Sequence, residues 1–181
     1  MRKLFVSLVV FGMLAAPASA QERKSLQLFN DVSKQVQRYA YFTIFDEVNA
    51  SIDGGAVTLT GRVTMPFKKE AIEKRVARVD GVTAVVNQVQ VLPVSTFDEA
   101  LRYRIARAIY GDPSFWHYAS MANPPIHIIV EHGRVTLTGV VQNNVERMLA
   151  RSLATGLNAF SVTSELKTDA EVRAALEKVN Y

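Results

Sequence analysis

The sequence predicts an α+β protein built from two α-β-β-α-β domains, and three observations carry this prediction. The phrase VTLTG occurs twice, over residues 57–61 and again over residues 135–139, a separation of 78 positions (135 − 57). Each copy lies among alternating apolar and polar residues interrupted by glycine, which is the pattern of a β-hairpin with one buried face. Helical periodicity precedes and follows each hairpin. Each domain is therefore expected to have a three-stranded mixed sheet with two helices on one face.

A helix is expected ahead of each hairpin because apolar residues recur there at intervals of three and four. The two predicted stripes consist of Leu28, Val32, Val36 and Tyr39 in the first domain, and of Leu101, Ile105 and Ile109 in the second. Each stripe would pack against one face of the sheet and form part of a core.

The hairpin strands show period-two alternation of apolar residues. The first strands carry them at Val48, Ala50 and Ile52, and at Ile126, Ile128 and Val130. The second strands carry Val57, Leu59, Val135 and Leu137, which are expected in the core. Glycine tolerates positive φ, and the residues interpreted as structural turn glycines are Gly55, Gly61, Gly81, Gly133 and Gly139. Of these, Gly61 and Gly139 are expected to end the second strands.

A second helix and a closing strand complete each unit. In the first unit Pro66 opens the helix, and its apolar stripe is Ile72, Val76 and Val79. In the second unit Asn143, followed by Glu146, resembles a capping box, and the expected stripe is Val145, Leu149 and Leu153. The closing strands are expected after Gly81 and Asn158.

The N-terminus has the three parts of a secretory signal peptide. Arg2 and Lys3 are basic, residues 4–14 are an apolar run, and residues 18–20 are small. The run is shorter than the ~20 residues that span a bilayer, so cleavage of residues 1–20 is expected, with a retained N-terminal helix as the alternative. The other divisions are a first domain over 21–92, a linker over 93–96, a second domain over 97–168 and a C-terminal tail or helix over 169–181.

Composition excludes several classes of protein. The chain has no cysteine, so we expect neither disulfides nor a lipoprotein anchor. The formal net charge is +4, and two of the positive charges belong to the predicted leader. A balance this mild does not favour nucleic acid as a partner.

No group of residues has the spacing of a catalytic or metal site. The histidines are His117, His127 and His132; His127 alternates with apolar neighbours and is expected on the wet face of a strand, and His132 at a turn. No histidine or carboxylate stands at metal-ligand spacing, and no serine stands in a nucleophile elbow. A protein without enzymatic activity, cofactor or metal is expected.

The repeated unit resembles a known family. Two copies of a strand, a glycine turn, VTLTG, a helix and a closing segment such as GVTAVVNQVQV (residues 81–91) are similar to a tandem, or dual, arrangement of BON domains, a family named after the periplasmic protein OsmY and a nodulation group. The second copy departs from the pattern, with Asn158-Ala159 in place of Gly81-Val82 and a long insertion over residues 111–125. The resemblance implies α-β-β-α-β modules that bind phospholipid membranes and help to maintain the bacterial envelope.

Two groups of residues are candidates for lipid contact. Basic residues lie beside the apolar stripes of the second helices, at Lys68, Lys74, Arg75, Arg78, Arg147 and Arg151. Such residues attract anionic headgroups by ~1 kcal/mol each near the surface; the alternative is an ordinary solvated face. The insertion is rich in large apolar side chains, namely Phe115, Trp116, Tyr118 and Met121. They suit a bilayer interface, or alternatively cover the second core or the domain interface.

We therefore expect an exported, periplasmic, non-enzymatic protein that binds anionic phospholipid membranes peripherally and supports envelope integrity or tolerance of osmotic and other stress. The alternative is a periplasmic chaperone or an adaptor between envelope proteins, which would use a sheet edge or the aromatic insertion. The sequence leaves the oligomeric state open.

Overall fold

The computed structural model describes residues 18–179, with side chains described for residues 24–175 and 177. The predicted signal peptide therefore lies outside the described residues, except for its last three, which begin the first helix. In the first domain the helices are α1 (Ala18–Gln37) and α2 (Pro66–Val76). The strands are β1 (Glu47–Asp53), β2 (Ala56–Val63), β3 (Ala84–Asn87) and β4 (Gln90–Val91).

The second domain repeats this order of elements. Its helices are α3 (Thr96–Tyr110), the short α4 (Trp116–Ala119) and α5 (Asn144–Thr155), and its strands are β5 (Ile126–Glu131), β6 (Arg134–Val141), β7 (Ser161–Ser164) and β8 (Lys167–Thr168). A final helix, α6, spans Asp169–Val179. The insertion between α3 and β5 thus contributes a helical turn at Pro113–Phe115 and α4.

Each sheet is mixed, as the sequence predicts. β1 pairs antiparallel with β2, and β2 pairs parallel with β3 and β4. β5, β6, β7 and β8 repeat the arrangement. The predicted third strand is in two pieces in both domains, separated in the first domain by residues 88–89. The architecture is α+β with two repeated helix-and-sheet units.

The apolar residues of the repeated phrase lie in two separate cores. Val57, Leu59 and Leu137 are completely buried, and Val135 is 1% exposed. The predicted stripes of α1 and α3 pack on the same sheet faces, with Val32 and Leu101 fully buried. Burial of one hydrophobic face by helices on one side gives each unit its two layers.

Gly61 and Gly139 do not end the second strands, and that expectation is wrong. Both lie inside strands, opposite Val48 and Ile126 respectively, with φ of 116° and 114°. A Cβ on Gly139 would lie 1.8 Å from the carbonyl oxygen of Pro125. Glycine is needed because the two backbones approach too closely for a side chain. Gly55, Gly81 and Gly133 have positive φ outside the strands.

The buried face of α5 agrees with the predicted stripe at Leu149 and Leu153, which pack against the second core, and differs from it elsewhere. Val145 is 73% exposed, whereas Ala150, Ala154 and most of Glu146 are buried. Asn143 caps the helix, accepting from the Glu146 N–H at 3.0 Å. The Glu146 carboxylate turns inward instead of completing a capping box, because buried hydrogen-bond donors lie beside it. Apolar periodicity could not identify this part of the buried face, because one of the buried residues is a glutamate.

The segment between α1 and β1 joins the two domains. Ile44 and Phe45 pack against the second core, and the Ile128 N–H of β5 donates to the Ile44 carbonyl at 2.7 Å. Phe45 also makes an edge contact with Tyr103 of α3, with ring centroids 5.1 Å apart. A piece of the first domain thus completes the packing of the second.

Candidate functional site

The aromatic insertion is divided between core and surface. Phe115 is completely buried and Tyr118 is 5% exposed, whereas Trp116 and Met121 are 63% and 47% exposed. Phe115 and Tyr118 therefore cannot contact lipid directly in this fold, because both rings are packed in the second core. The alternative, that the insertion covers the core, holds for these two residues. Trp116 and Met121 remain available at the surface.

Tyr118 is fixed by polar as well as apolar contacts. Its hydroxyl donates to the Glu146 carboxylate at 2.8 Å and accepts from the Gln142 N–H at 3.0 Å. Burial and the bonded Glu146 carboxylate raise the pKa of Tyr118 to about 12. The phenol is therefore a neutral donor near pH 7, and it ties the insertion to the start of α5.

Lys68 is a structural residue and not part of an exposed basic arc. Its ammonium lies 2.6 Å from the Asp46 carboxylate, and the two side chains are 6% and 0% exposed. Asp46 also accepts from the backbone N–H groups and hydroxyls of Thr43 and Thr64, at 2.8–2.9 Å. A buried ion pair needs such additional bonds to offset desolvation. Lys68 therefore cannot reach a headgroup in this conformation.

The other predicted basic residues have different surroundings. Lys74 lies 3.9 Å from Glu70 in an exposed ion pair, and the Arg75 guanidinium stacks 4.8 Å from the Tyr39 ring centroid. Arg78 and Arg151 are exposed, and neither is in an ion pair with any residue of the described range 18–179. Of the predicted basic residues, Arg78 and Arg151 are therefore the most accessible for contact with a headgroup.

Arg147 holds the C-terminal helix in place. It lies 2.9 Å from both carboxylate oxygens of Glu171 and donates to the Leu166 carbonyl at 3.3 Å. The Thr168 N–H and Arg147 lower the pKa of the Glu171 carboxyl. Arg147 is thus occupied by a contact within the chain.

A rigid exposed surface lies at the tip of the β5–β6 hairpin, where the sequence predictions placed nothing beyond turn residues. The buried Asp98 carboxylate accepts from the backbone N–H groups of His132 and Gly133, at 2.9 and 2.8 Å. The Phe160 N–H donates to the Gly133 carbonyl at 2.8 Å. These bonds fix the start of α3, the hairpin turn and the start of β7 relative to one another.

Two exposed aromatic rings lie on this fixed frame. Phe97 is 53% and Phe160 is 76% exposed, and both lie within 4 Å of where a Gly133 side chain would stand. The Arg134 guanidinium is 4.8 Å from the Phe160 ring centroid. We call Phe97, Gly133, Arg134 and Phe160 the hairpin-tip surface. The available signal in the sequence was Phe160 directly after Asn158-Ala159, where the second copy departs from the repeated pattern.

The first domain has no equivalent pair of aromatic residues. The Thr83 N–H donates to the carbonyl of the turn residue Gly55 at 2.9 Å. This hydrogen bond is the counterpart of the one from Phe160 to Gly133 in the second domain. Thr83 therefore stands where the second domain has Phe160. When Val32 is aligned with Leu101, a shift of 69 positions (101 − 32), Leu28 stands where the second domain has Phe97. The hairpin-tip surface is specific to the second domain.

His127 lies at the domain interface, not on a wet strand face. Its Nδ1 atom is 2.6 Å from the Asp46 carbonyl oxygen, and its ring packs 5.5 Å from that of Phe42. Burial lowers the pKa of His127. Because a carbonyl only accepts, Nδ1 carries the proton and donates. The misplacement arose because strand alternation shows which face a residue occupies and not what covers that face.

The described residues contain no grouping that points to catalysis or to a membrane span. Within residues 18–179, no three His, Asp or Glu side chains are close enough together to hold a metal ion. None of the helices described there is both long and apolar enough to cross a bilayer. The features that remain there are an exposed aromatic surface, a domain interface and the edges of the two sheets.

The two repeated units define a tandem α+β protein. The BON domain model matches residues 31–93 and 98–170, and the chain belongs to the BON family. Proteins with this domain are generally non-catalytic, and the family suggests association with the cell envelope.

Solved structures offer weaker likenesses. The chain is similar to the C-terminal domain of CdsD, described as the structural protein of the type III secretion system of Chlamydia trachomatis, with 18% identity over 84% of this chain and 70% of that one and a TM-score of 0.30. A second CdsD structure from the same organism gives 14% identity, 83% and 97% coverage and a TM-score of 0.28. Similarity this low carries no conclusion about function. No curated protein matches the sequence.

Proposed function

We propose that this BON protein is an exported, non-enzymatic envelope protein that binds the surface of anionic phospholipid membranes through its second domain. The observation that carries the proposal is the hairpin-tip surface. Two exposed phenylalanines and an arginine lie on a frame held by the hydrogen bonds of the buried Asp98 carboxylate. Large apolar side chains kept at the surface in a fixed arrangement mark interaction sites.

The chemistry of this surface suits a lipid interface. Aromatic rings are favoured at the boundary between headgroups and acyl chains, and a nearby cation is attracted to anionic headgroups. The bonds from Asp98 to the hairpin turn are already made in the free protein. Little ordering entropy would therefore be lost when Phe97 and Phe160 enter the interface.

The exposed part of the aromatic insertion is a separate candidate. Trp116 donates from its indole N–H to the Gly111 carbonyl at 3.4 Å, at the C-terminal end of α3, whereas Phe97 lies at the other end. A helix of this length extends for roughly 20 Å. Contact at the hairpin tip and contact at Trp116 are therefore distinguishable.

Vesicle sedimentation tests the proposal. The protein is expected to pellet with vesicles containing phosphatidylglycerol and much less with pure phosphatidylcholine, and the difference should shrink at high salt. Phe160→Ala is expected to weaken binding by about tenfold or more, because burying a phenylalanine ring contributes ~1.5–3 kcal/mol. Phe67→Ala, at a half-exposed phenylalanine of the first domain, is the matched control.

Trp116 reports which surface makes contact, since it is the only tryptophan. If the hairpin tip enters the bilayer, Phe160→Ala reduces binding while the emission of Trp116 barely shifts. A blue shift of Trp116 with undiminished binding of Phe160→Ala would move the site to the insertion. Absence of binding to every vesicle would reject the membrane proposal and favour a protein partner.

A further inference from the structure

The outer edges of the two hairpins are treated differently, although the hairpins share one sequence pattern. In a hairpin with a two-residue turn the closing pair exchanges hydrogen bonds, and the direction of the backbone groups then alternates along the strand. Asp53 and Ala56 close the first hairpin, and Glu131 and Arg134 close the second. The outward-facing backbone groups therefore belong to Val48, Ala50 and Ile52 in β1, and to Ile126, Ile128 and Val130 in β5.

The edge of β5 is covered by side chains of α3. The Tyr110 hydroxyl donates to the Ile126 carbonyl at 2.5 Å and lies 3.2 Å from the Ile126 N–H. Arg102 donates from Nη2 to the Val130 carbonyl at 2.7 Å. Burial raises the pKa of Tyr110 and keeps its hydroxyl protonated. Two polar side chains thus take the place of a neighbouring strand at both ends of β5.

The middle of the same edge is covered by a turn of the first domain, which the Asp46 N–H closes by donating to the Thr43 carbonyl at 3.0 Å. The Ile44 carbonyl accepts from the Ile128 N–H, and the side chains of Ile44 and Phe45 pack into the second core. An adjacent aliphatic and aromatic residue, joined to the strand by one backbone hydrogen bond, can therefore dock on the edge of this hairpin type.

The edge of β1 has none of these covers. Among residues 18–179, no hydrogen bond from another segment reaches the outward backbone groups of Val48, Ala50 or Ile52. With α1 aligned on α3 at the shift of 69 positions, Ser33 stands in place of Arg102 and Tyr41 in place of Tyr110. Tyr41 turns away and packs against Phe67, with centroids 5.7 Å apart. Unpaired edges of this kind are templates for an added strand.

A groove of about 390 Å³ lies beside this edge, between α1 and the second domain. Much of its apolar lining comes from α1, the following loop and the residues ahead of β5. These residues are Phe29, Val32, Val36, Phe42, Pro124 and Pro125. Of the acidic and basic residues, only Glu47 lines it, and His127 is kept neutral by the burial that lowers its pKa.

We propose that the edge of β1 and this groove bind an extended polypeptide segment of a partner protein, which adds as a strand to the first sheet. Such strand addition gains affinity from main-chain hydrogen bonds and selectivity from alternate side chains. The segment would carry an adjacent aliphatic and aromatic residue, because the Ile44–Phe45 pair docks on the equivalent edge of β5 and because aromatic and aliphatic side chains of α1 and the following loop form part of the groove wall. An acyl chain in the groove would leave the β1 backbone groups unpaired.

The probe is a fluorescein-labelled, end-blocked peptide that carries residues 42–45, Phe-Thr-Ile-Phe, between glycine-serine tails. Saturable binding of this peptide to the purified protein is expected in fluorescence anisotropy. Ala50→Pro removes one outward N–H of β1 without touching the bonds to β2, and prolines are tolerated on strand edges. It is expected to weaken peptide binding by about tenfold or more, since a lost edge bond and a steric clash together exceed ~1.4 kcal/mol.

Two further variants make the test specific. Ala84→Pro places the same substitution on β3, at the opposite edge of the same sheet, and is expected to leave peptide binding within about twofold of the parent. Ser33→Arg places at α1 the residue that covers β5 from α3, and is expected to abolish binding. This second variant keeps the test decisive if Ala50→Pro does not fold.

Each contrary outcome overturns the proposal. Failure of the parent to bind the peptide rejects it, as does equal weakening by Ala50→Pro and Ala84→Pro. A parent that sediments as a dimer and becomes monomeric on Ala50→Pro would assign the edge to a second copy. Displacement of the peptide by a fatty acid, with fatty acid binding unaffected by Ala50→Pro, would assign the groove to an acyl chain.

Discussion

The Nδ1 atom of His127 lies 2.6 Å from the carbonyl oxygen of Asp46, so a residue of the second domain donates to the backbone of the first. Asp46 simultaneously holds Lys68 through its carboxylate. One residue therefore carries both the main buried ion pair of the first domain and a hydrogen bond to the second. A substitution at Asp46 or at one of these two partners is expected to affect the packing of both domains.

Acidification is expected to weaken the structure through His127. Burial lowers its pKa in the folded state below the ordinary value of 6.5, so the unfolded chain binds the proton more readily. Stability from this residue is then fully present above pH 6.5 and is lost as the pH falls toward the folded pKa.

The measurement is the denaturation midpoint of the parent and of His127→Asn between pH 7.5 and about 5. The asparagine amide can replace the Nδ1 donor without titrating, so the variant should lose less stability on acidification. His132→Asn is the control, because His132 has φ of 51° and asparagine tolerates that conformation. Equal pH dependence of His127→Asn and parent would contradict the assignment.

Replacement of Lys68 tests the reassignment of this residue from lipid contact to structure. Lys68→Met is expected to destabilise the protein by ~3–5 kcal/mol, because removing one partner leaves the buried Asp46 carboxylate without its counter-charge. Lys74→Met, at an exposed ion pair, should change stability by less than ~0.5 kcal/mol. Urea denaturation compares them; similar midpoints would show that Lys68 is not buried.

The glycines inside the strands provide a steric test. Gly139→Ala is expected to be strongly destabilising, since the conformation at φ 114° is disfavoured for alanine and the new Cβ meets the Pro125 carbonyl. Strained backbone of this kind alone costs ~1–3 kcal/mol. Gly156→Ala, where no atom lies within 4 Å of the added Cβ, serves as control in thermal melts. A melting temperature unchanged by Gly139→Ala would be incompatible with the strand pairing described.

Adjacent residues of the aromatic insertion should respond oppositely to truncation. Phe115→Ala is expected to cost ~3–5 kcal/mol, the range for removing a buried ring. Trp116→Ala should cost less than ~0.5 kcal/mol, because most of its side chain faces solvent. Calorimetric unfolding of the two variants checks this, and a larger effect at Trp116 would reverse the assignment of core and surface.

The two leucines of the repeated phrase test the strand register. Leu59→Ala and Leu137→Ala are each expected to cost ~2–5 kcal/mol, because both side chains are fully buried. Thr60→Ala is the comparison. The Thr60 side chain is exposed, so its truncation should change the stability little. Because strand side chains alternate between faces, a larger effect at Thr60 than at Leu59 would show that the opposite face of the strand is buried.

Much of the fold was predictable because local patterns repeat. The duplicated phrase identified the central strands, and the helical periodicity around Val32 and Leu101 identified the helices that cover them. Gly55 and Gly133 marked the turns, since a two-residue hairpin turn needs positive φ. These features depend on residues near one another in sequence.

The candidate site was less predictable because its parts come together from distant positions. Phe97, Gly133 and Phe160 meet only when α3, the hairpin and β7 are assembled. Glu146 was missed as a buried residue because the hydroxyl that bonds its carboxylate belongs to Tyr118, which is 28 positions away in the sequence. Charge in a sequence suggests a surface, whereas burial depends on partners.

The sequence by itself determined two α-β-β-α-β units, their strand faces and most of their cores, because side-chain periodicity directly reflects which face of a helix or strand is buried. Only the tertiary structure decided that Lys68 pairs with Asp46, that His127 meets the other domain and that the edge of β5 is covered while that of β1 is open. These outcomes depend on contacts between segments far apart in the chain, and no local pattern of polarity encodes which partner a polar group will find.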